Sequence, residues 1–478
     1  MGVKNLTSLL ARFAPSCITT LSPKDIRGWS VGIDTNIFIH RFFRGNPLQG
    51  DTYDKRHLHG IYRMGTFMRS LDITPVFVFD CHELTAGKEL ETSRRTAAKM
   101  IIEMELAKET QRVARIDILE SICARHLEDR VINTDNVDNP VQNKAPNPDM
   151  GSVFSWPLPL KWNQPLSKMH GDGRMSTMHA GNHVQQPDAV EWLQKLGEEL
   201  AEKIRQRGSK ITIEGRLNKL ELTVCRSLLV QMGVIRINEE SDSEHAVADA
   251  RSALRILQKY HSERLATLER RAEPLTDKHI EECQMLVDAM GFAIHSVSSN
   301  TESEAMCAAL DSAGVVDATC SEDLDVLPFG GRRLLRNFAS LDSAASPMVL
   351  IDSAQALGEL GLSRASFIDL CILCGTDFSS TLEGVGPITA LKLIQQHGSI
   401  EAILAMGKYH PKEPESFNYE LSRLLFTNDV KVPYASRDEI RAGPEHQADL
   451  DALLPNRGGG FGKSSQDCRD PFAQTILL

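Results

Sequence analysis

Three stretches in the second half of the chain decide how it is interpreted: residues 300–310 (NTESEAMCAAL), 320–330 (CSEDLDVLPFG) and 367–378 (FIDLCILCGTDF). Each places acidic side chains beside apolar residues typical of a buried helix or strand. Their carboxylates belong to Glu302, Glu304, Asp323, Asp325 and Asp377. Two more acids lie far upstream, where Asp34 and Asp80 each end a short β-rich apolar run, WSVGID and PVFVFD.

These contexts predict that the acids meet at one site. In an α/β sheet, residues at the carboxyl ends of parallel strands face a shared crevice, and Asp34 and Asp80 occupy such ends. Asp323 and Asp325 are two residues apart, so they point the same way if that stretch is extended. A solvated loop or a helix cap is the alternative for any one pair taken alone. A shared site is favoured because a further acid, Asp377, follows an apolar helix pattern.

Seven carboxylates in one cleft cannot all be ionised without cations. Hard oxygen ligands select magnesium or manganese. Two such ions about 4 Å apart can hold both the attacking and the leaving oxygen of a phosphoryl transfer. The residues alone therefore predict a site that binds divalent metal and hydrolyses phosphodiesters.

Composition limits the remaining possibilities. The chain has 478 residues with 41% hydrophobic content, which predicts two or three globular domains. Its formal net charge is −11, so any DNA-binding surface must be a local basic patch. The ten cysteines are scattered, which favours buried thiols in a reducing compartment over a disulfide framework. We expect no membrane span and no signal peptide.

Changes in composition divide the chain into residues 1–128, 129–187, 188–275, 276–405 and 406–478. The first and fourth segments alternate strand and helix patterns. The second is rich in Pro, Asn, His and Gly and has no regular period, which predicts a disordered or loosely packed insert. The third is predicted to be helical, and the fifth is predicted to be an irregular, polar tail.

A basic helical stretch begins near residue 88. Four of its cations lie about a turn apart: Lys88, Arg94, Arg95 and Lys99. They would present one positive face. A solvated helix with ordinary charge pairs is the alternative, and composition alone slightly favours it because glutamates are interleaved.

A glycine-rich turn follows Asp377. Gly384 and Gly386 flank a valine, and Pro387 would open the next helix. Such a turn lets backbone N–H groups approach a phosphate closely, and Lys392 faces the same end. An ordinary turn is the alternative.

Taken together, these residues resemble the flap endonuclease and Rad2/XPG family of structure-specific 5′ nucleases. The opening MGVKNLTSLLARFAPSCI resembles that family's start, and TESEAMCAAL, SEDLDVLPFG and FIDLCILCGTDF…EGVGP resemble its later motifs. The resemblance covers roughly residues 1–110 and 276–405. It implies a PIN-like α/β fold with a twisted, mostly parallel sheet flanked by helices. It also implies a helix-two-turn-helix element and a long helical or disordered insertion in the arch region.

The resemblance further implies a role for each acid. Two Mg²⁺ ions, for which Mn²⁺ can substitute, would occupy the site. The first ion would be held by four acids with two more close by: Glu302, Glu304, Asp323 and Asp325, then Asp34 and Asp80. Asp377 would help to hold the second.

The cations and glycines receive roles by the same resemblance. Arg94 and Lys88 would be catalytic and pull the phosphate into the site. Lys88 lies one residue beyond the family's position, which is about 100° of rotation on a helix. His40 would stack on the base beside the cut, with a packed histidine as an equal alternative. The remaining DNA contacts would come from Arg95, Gly384, Gly386 and Lys392, with K⁺ bound at the glycine turn.

The implied function is cleavage of branched or 5′-ended DNA, as a 5′-flap endonuclease or a 5′–3′ exonuclease, in repair or replication. A catalytically weak or inactive member that serves as a nucleic-acid or protein scaffold is the alternative. An RNA-directed nuclease is less favoured because of the duplex-gripping turn. We expect a monomer in the nucleus, with the mitochondrion as the alternative. The C-terminus shows no sliding-clamp-binding motif. The spacing of 302 − 88 = 214 residues leaves the preferred DNA structure open.

Overall fold

A computed structural model describes residues 2–45, 53–81, 89–128, 189–206, 212–235, 240–298, 301–338 and 347–455. The chain forms two compact units. The first comprises Met1–Glu103 and Glu269–Leu478, and the second comprises Met104–Leu268. We call the second the helical unit. The predicted insert at 129–187 lies outside the described residues.

A seven-stranded sheet forms the centre of the first unit. The strands are β1 (Ile18–Leu21), β2 (Ser30–Asp34), β3 (Thr74–Phe79), β4 (Ala293–Ser296), β5 (Ala318–Cys320), β6 (Arg333–Arg336) and β7 (Met348–Asp352). Their order is β1-β7-β6-β5-β2-β3-β4. The four pairings from β6 to β4 are parallel, and the two that involve β7 are antiparallel. The sheet is therefore mixed and mostly parallel, in line with the predicted fold class.

The strands that carry continuous apolar runs lie in the middle of the sheet. β2 is buried along its whole length, and β3 is buried at every position after the first. Alternate residues of β3 face opposite layers, because Phe77 packs with the helices that follow β2 while Val76 packs with Cys307. The runs WSVGID and PVFVFD form β2 and β3, as predicted. β1 and β6 combine apolar residues with exposed polar ones, so neither has such a continuous apolar run.

Helices flank both faces of the sheet. In the first unit they are α1 (Leu6–Phe13), α2 (Thr35–Arg44), α3 (Arg56–Ser70), α8 (Asp277–Ala289), α9 (Ser303–Ser312), α10 (Ser353–Leu360), α11 (Arg364–Cys374), α12 (Pro387–His397), α13 (Ile400–Ala405), α14 (Tyr419–Thr427) and α15 (Gln447–Leu453). Pro387 opens α12 at its first position, where the missing N–H costs no hydrogen bond.

The expectation of an irregular chain after residue 405 is wrong, since α14 and α15 both lie there. Phe426 and Leu450 are buried in the two main core clusters of the first unit. Ile440, between the two helices, is fully buried as well. These apolar residues are widely spaced, so they gave no periodic signal, yet each one docks its segment onto the core.

The helical unit is built from α4 (Glu89–Glu128), α5 (Ala189–Gln206), α6 (Ile213–Gln231) and α7 (Glu240–Ala272), of which α4 and α7 begin or end in the first unit. α5, α6 and α7 lie within residues 188–275, the segment that was predicted to be helical. The buried face of α5 carries Leu193, Leu196 and Leu200. They join Ile116 and Leu228 in a separate apolar core.

The nine described cysteines are free thiols, of which eight are buried and Cys81 is partly exposed. Burial raises the pKa of Cys283, Cys307 and Cys371 well above its usual value, which keeps these thiols protonated. Among the described residues, no helix combines the length and the apolar character that crossing a bilayer requires.

Candidate metal centre

Asp34 and Asp80 lie side by side at the carboxyl ends of two parallel strands. Asp34 is the last residue of β2, and Asp80 directly follows its neighbour β3. Asp34 is only 1% exposed. Its Oδ1 accepts a hydrogen bond from Ser303 Oγ at 2.9 Å, and its Oδ2 accepts one from Ser321 Oγ at 2.6 Å. The backbone N–H of Ser303 donates to Asp80 Oδ1 at 2.9 Å. Ser303 thus hydrogen-bonds to the acids at both strand ends. The prediction that Asp34 and Asp80 lie close together is confirmed.

The two glutamates come from the start of α9. Glu302 is the N-cap residue and is buried, and Glu304 lies half-buried in the first turn. Ser303 Oγ lies 3.2 Å from Glu304 Oε2. The N-terminal end of a helix carries partial positive charge, which favours carboxylates at this position. α9 therefore delivers two acids and a bridging serine to the strand ends.

The paired aspartates adopt a geometry different from the predicted one. Residues Leu324–Val326 form a single 3₁₀ turn rather than an extended stretch. Asp323 caps this turn, because its Oδ1 accepts a hydrogen bond from the Asp325 N–H at 2.9 Å. The Asp323 N–H in turn donates to Ser321 Oγ at 2.9 Å. Aspartate competes well for nearby backbone donors, and here that preference closes the turn. Both side chains remain buried.

We call this group of six acids the carboxylate cleft: Asp34, Asp80, Glu302, Glu304, Asp323 and Asp325. Burial, together with the charges of Asp80 and Asp323, raises the pKa of Asp34 to about 7, although the hydrogen bonds from Ser321 and Ser303 oppose the rise. Burial also raises the pKa of Glu304 well above its usual value, and four other acids add to the effect: Asp34, Asp323, Asp80 and Glu302. The cleft therefore takes up protons at neutral pH when no cation balances its charge.

The donor set fits a hard divalent cation. Every predicted ligand offers carboxylate oxygen, the donor that Mg²⁺ and Mn²⁺ prefer. Within the described ranges, no three acidic, histidine or cysteine side chains already form a closed ligand cage.

Gly2 lies against the paired aspartates, and sequence reasoning missed it. Its φ of +70° is left-handed, and a Cβ on it would stand 1.9 Å from Asp323 Oδ1 and 2.6 Å from Asp325 Oδ1. Nearby, the Lys4 N–H donates to the Gly375 carbonyl at 3.0 Å. The residues from 2 to 4 therefore pack between the paired aspartates and the end of α11. Only glycine fits at the first of these positions.

Asp377 is the predicted ligand that the structure connects least to the others. It lies half-buried just beyond α11, two residues after Gly375. Its side chain makes no hydrogen bond or ion pair with the described part of the chain. The segment that carries it is linked to the cleft through Lys4 rather than through the carboxylate itself.

Two predicted DNA-contacting residues, Arg94 and His40, lie on α4 and α2. Arg94 is half-buried, and its Nη1 is buried with no hydrogen-bond partner among the described residues. His40 is exposed on α2, yet neighbouring atoms crowd its ring enough to lower its pKa by desolvation. Arg44 and Arg95 lower that pKa further, and Asp80 opposes them. His40, Arg95 and Asp80 thus share one neighbourhood.

Lys99, another member of the predicted basic face, does not support it. It forms an exposed i,i+4 pair with Glu103 at 3.9 Å, as the solvated-helix alternative requires. Lys88 lies outside the described residues.

The glycine turn lies open between α11 and α12. Gly384 has a φ of +70°, and Gly386 is the N-cap residue of α12. Both are exposed, and a Cβ at either position would meet nothing. Lys392 is exposed on α12. Backbone conformation therefore requires glycine at 384, whereas at 386 the missing side chain leaves the helix N-terminus accessible.

Ser303 and Ser321 are the functional candidates that sequence reasoning overlooked. Both are completely buried, and together they contact Asp34, Asp80, Glu304 and Asp323. The signal was present in the sequence, because each serine stands directly beside an acid, in ESE and in CSED. A small hydroxyl in that place can orient a carboxylate without cancelling its charge.

Comparison with known proteins gives two family matches. The XPG N-terminal domain matches residues 1–101, and the XPG I-region matches residues 293–377. All seven predicted acids fall inside these two ranges. Flap endonuclease 1-A of Physcomitrium patens is 38% identical over 186 residues, which is 39% of this chain and 47% of that protein. Flap endonuclease 1 of Zea mays is 41% identical over 222 residues, which is 46% of this chain and 56% of that protein.

This chain thus spans about half the length of the curated relatives it matches. Among solved structures, flap endonuclease-1 from Methanococcus jannaschii is similar with a TM-score of 0.45 and 17% identity, covering 93% of this chain and 91% of that one. The catalytic core of Rad2 in complex with DNA substrate is similar with a TM-score of 0.48 and 13% identity, covering 96% and 95%. The chain is therefore similar to the XPG family over residues 1–101 and 293–377, and every predicted acid lies inside these two ranges.

Proposed function

We propose that the carboxylate cleft binds two divalent cations and that the protein is a metal-dependent 5′ nuclease that hydrolyses DNA phosphodiesters. The observation that carries this proposal is the burial of acids against one another, since Asp34, Glu302 and Asp323 are each at most 6% exposed. A fold that buries acids against each other gains nothing in stability from doing so. The arrangement becomes favourable only when cations enter, and bound cations in a cleft of this kind suit phosphoryl transfer.

The predicted ligands keep the roles that the resemblance implies. Glu302, Glu304, Asp323 and Asp325 would hold the first ion with Asp34 and Asp80 close by, and Asp377 would help to hold the second. Bound Mg²⁺ or Mn²⁺ would lower the pKa of a water molecule and neutralise charge on the scissile phosphate. The protein's own contribution is to fix the ligands, and Ser303 and Ser321 do so for both oxygens of Asp34.

Arg94 is the strongest candidate for positioning the phosphate. A buried guanidinium N–H without a partner costs free energy, and a phosphate oxygen would satisfy it with a charge-assisted hydrogen bond. Lys88 remains the proposed second cation on the resemblance alone. His40 lies near Asp80 and Arg95, which suits a ring that stacks on a base beside the cut.

The glycine turn between α11 and α12 would serve as a helix-two-turn-helix grip on duplex DNA. Gly384 and Gly386 leave backbone N–H groups open to a phosphate, and Lys392 adds an exposed cation on the same helix. The resemblance implies that this turn would also hold a potassium ion, which would supply positive charge toward the duplex backbone. Arg95 would contribute a further phosphate contact.

The proposed substrates are branched or 5′-ended DNA, and the proposed setting is DNA repair or replication. The net charge of −11 requires that the DNA contacts come from these local cations rather than from the surface as a whole. A monomer in the nucleus remains the expectation, with the mitochondrion as the alternative.

End-labelled substrates test the proposal directly. The full chain is incubated with 5′-flap, blunt duplex, bubble and single-stranded DNA, in magnesium or in a chelator. Magnesium-dependent cuts near a flap junction identify a flap endonuclease, whereas stepwise loss from a duplex 5′ end identifies an exonuclease. Asp323→Ala should lose cleavage and keep DNA binding, while Asp438→Ala, at an exposed acid paired with Arg441, should keep both.

The scaffold alternative makes the opposite prediction. DNA would then be bound without any cut in magnesium or in manganese, and Asp323→Ala would change nothing. That result would overturn the catalytic proposal, and the region around Lys88 would be the first place to seek the reason.

A further inference from the structure

The helical unit contains a cavity of about 560 Å³ that the proposed nuclease reaction does not use. All four helices of the unit contribute to its wall, and every lining residue belongs to this unit. Its volume lies within the range of about 300–1,000 Å³ that is usual for small-molecule sites. The composition of its lining is unusual for such a site, because charged side chains predominate where apolar side chains are normally found.

Cations outnumber acids on this wall. Five lysine or arginine side chains line the cavity against three glutamates, and the five are Lys108, Arg112, Arg115, Lys203 and Arg264. Lys108 is exposed and has no ion-pair partner within the described part of the chain. The other four cations each pair with a glutamate: Arg112 with Glu214, Arg115 with Glu221, Lys203 with Glu199 and Arg264 with Glu109. Lys108 is therefore the cation of this wall that an anion meets without a competing carboxylate.

Buried ion pairs hold the floor of the cavity rigid. Glu109 is only 2% exposed, and its carboxylate accepts a hydrogen bond from His261 Nδ1 at 2.5 Å and lies 3.4 Å from Arg264 Nε. Arg115 donates from Nε to Glu221 Oε2 at 2.8 Å, and Glu221 is fully buried. Apolar residues of similar volume would stabilise such a floor at least as well. The network instead fixes arginines in place, as a recognition site requires.

Arg112, at the rim of the cavity, forms an ion pair with a glutamate that the phosphate of a ligand can replace. Arg112 Nη2 donates to Glu214 Oε1 at 2.9 Å, and Glu214 is partly exposed. Half-buried Tyr260 also lines the cavity. Guanidinium groups pair with phosphate in a bidentate fashion, and lysine adds a point charge. An aromatic face stacks on a base.

We propose that this cavity binds a phosphorylated ligand of nucleotide size. Lys108, Arg112 and Lys203 meet the phosphates, and Tyr260 meets the attached base. The phosphate can come from a free nucleotide or from the end of a nucleic-acid strand. The site does not depend on the carboxylate cleft, so its existence stands or falls separately from the nuclease proposal.

Equilibrium binding to the full chain in EDTA tests the proposal, because the chelator prevents metal-bridged binding at the carboxylate cleft. The probes are ATP, inorganic triphosphate, adenosine, citrate and a ten-residue oligothymidylate. ATP should bind, and adenosine and citrate should bind at least tenfold more weakly. Competition by the oligothymidylate would identify a strand as the source of the phosphate, and its absence would identify a free nucleotide.

Charge reversal locates the site. Lys108→Glu with Lys203→Glu should weaken ATP binding at least tenfold. The matched control reverses two lysines of the same unit that do not line the cavity, Lys195→Glu with Lys219→Glu, and should leave affinity within twofold. Glu214→Gln should tighten binding severalfold by releasing Arg112, whereas Glu198→Gln should not.

Two results would overturn the proposal: no ATP binding at millimolar concentration, or equal losses in the two double variants. Circular dichroism of each variant establishes that the helices are retained, so that a loss of affinity reports on the site and not on unfolding.

Discussion

In the carboxylate cleft, Asp34 and Glu304 lie among other acids and have serine hydroxyls as hydrogen-bond partners. Beneath the cavity of the helical unit, buried Glu109 lies against a histidine and an arginine, and buried Glu221 lies against Arg115. Both regions bury ionisable groups, but one gathers charges of the same sign and the other pairs opposite signs.

This difference predicts which groups contribute to the free energy of unfolding and which contribute to activity. A paired charge that loses its partner becomes an isolated buried ion, which is strongly destabilising. An acid removed from a cluster of acids relieves repulsion, so the fold tolerates its loss while metal binding does not. Variants in the carboxylate cleft should therefore lose activity and keep stability, whereas variants in the buried pairs of the helical unit should lose stability.

The largest effect is expected for Asp34→Asn. Loss of one cation ligand removes several kcal/mol of transition-state stabilisation, so cleavage should fall about 10³-fold or more. In chelator the variant should unfold at about the same urea concentration as the wild type or a higher one. Magnesium should raise the unfolding midpoint of the wild type, because it binds only the folded state, and should not raise that of the variant.

Asp352→Asn is the matched control for that variant. Asp352 also ends an apolar strand, but it caps α10 by accepting a hydrogen bond from the Gln355 N–H at 3.0 Å. Asparagine caps a helix as well as aspartate does, so both cleavage and stability should be retained. Equal losses of cleavage in the two variants would contradict the assignment of the cleft.

Arg115→Met should produce the reverse outcome. It leaves the Glu221 carboxylate buried without its partner, at a cost of about 3–5 kcal/mol in unfolding free energy. Urea unfolding followed by circular dichroism measures this cost. Arg205→Met is the control, because Arg205 is 73% exposed in its pair with Glu202 and should contribute less than about 1 kcal/mol. If the two variants were equally stable, the buried pair would not support the helical unit.

Gly2→Ala should impair the cleft without unfolding the protein. The added Cβ would displace Asp323 and Asp325, so cleavage should fall about 10–100-fold, the range for groups that orient metal ligands. Gly314→Ala has nearly the same left-handed φ, +76°, with nothing near its Cβ. That control should lose about 1 kcal/mol of stability and no activity. Unchanged cleavage by Gly2→Ala would show that residue 2 does not position the aspartates.

The sheet and most of the cleft could be predicted because their signals are local. Apolar runs such as WSVGID mark buried parallel strands, and an acid at the end of each run lies at a shared edge. The same rule does not distinguish Asp34, in the cleft, from Asp352, which caps a helix, because Asp352 also ends an apolar strand. Strand direction decides between them, because β7 is antiparallel to its neighbours and sends its end to a helix cap.

The features that were missed depend on contacts distant in sequence. Gly2 meets Asp323 across more than 300 residues, and no periodicity encodes such an approach. Asp323 and Asp325 were expected to be extended, but a side-chain hydrogen bond closes a 3₁₀ turn between them. α14 was missed because Phe426 is its only fully buried apolar residue, so its docking depends on the cluster that receives it.

The smallest effect is expected where opposite charges pair near the surface. Arg423 bridges Asp369 on α11 and Glu401 on α13, and its hydrogen bond lowers the pKa of Glu401 from 4.5 to about 2. A lowered pKa contributes stability above pH 4.5, and that stability is lost as the pH falls toward 2. Glu401→Gln should therefore cost only about 0.5 kcal/mol at pH 7, since the side chain is half-exposed, and nothing at pH 2. Urea unfolding at a series of pH values measures the difference, with Glu383→Gln, at an exposed acid, as the control. A cost that persisted at pH 2 would mean that Glu401 acts through packing, and the contrast between paired and clustered charge would then not extend to the surface.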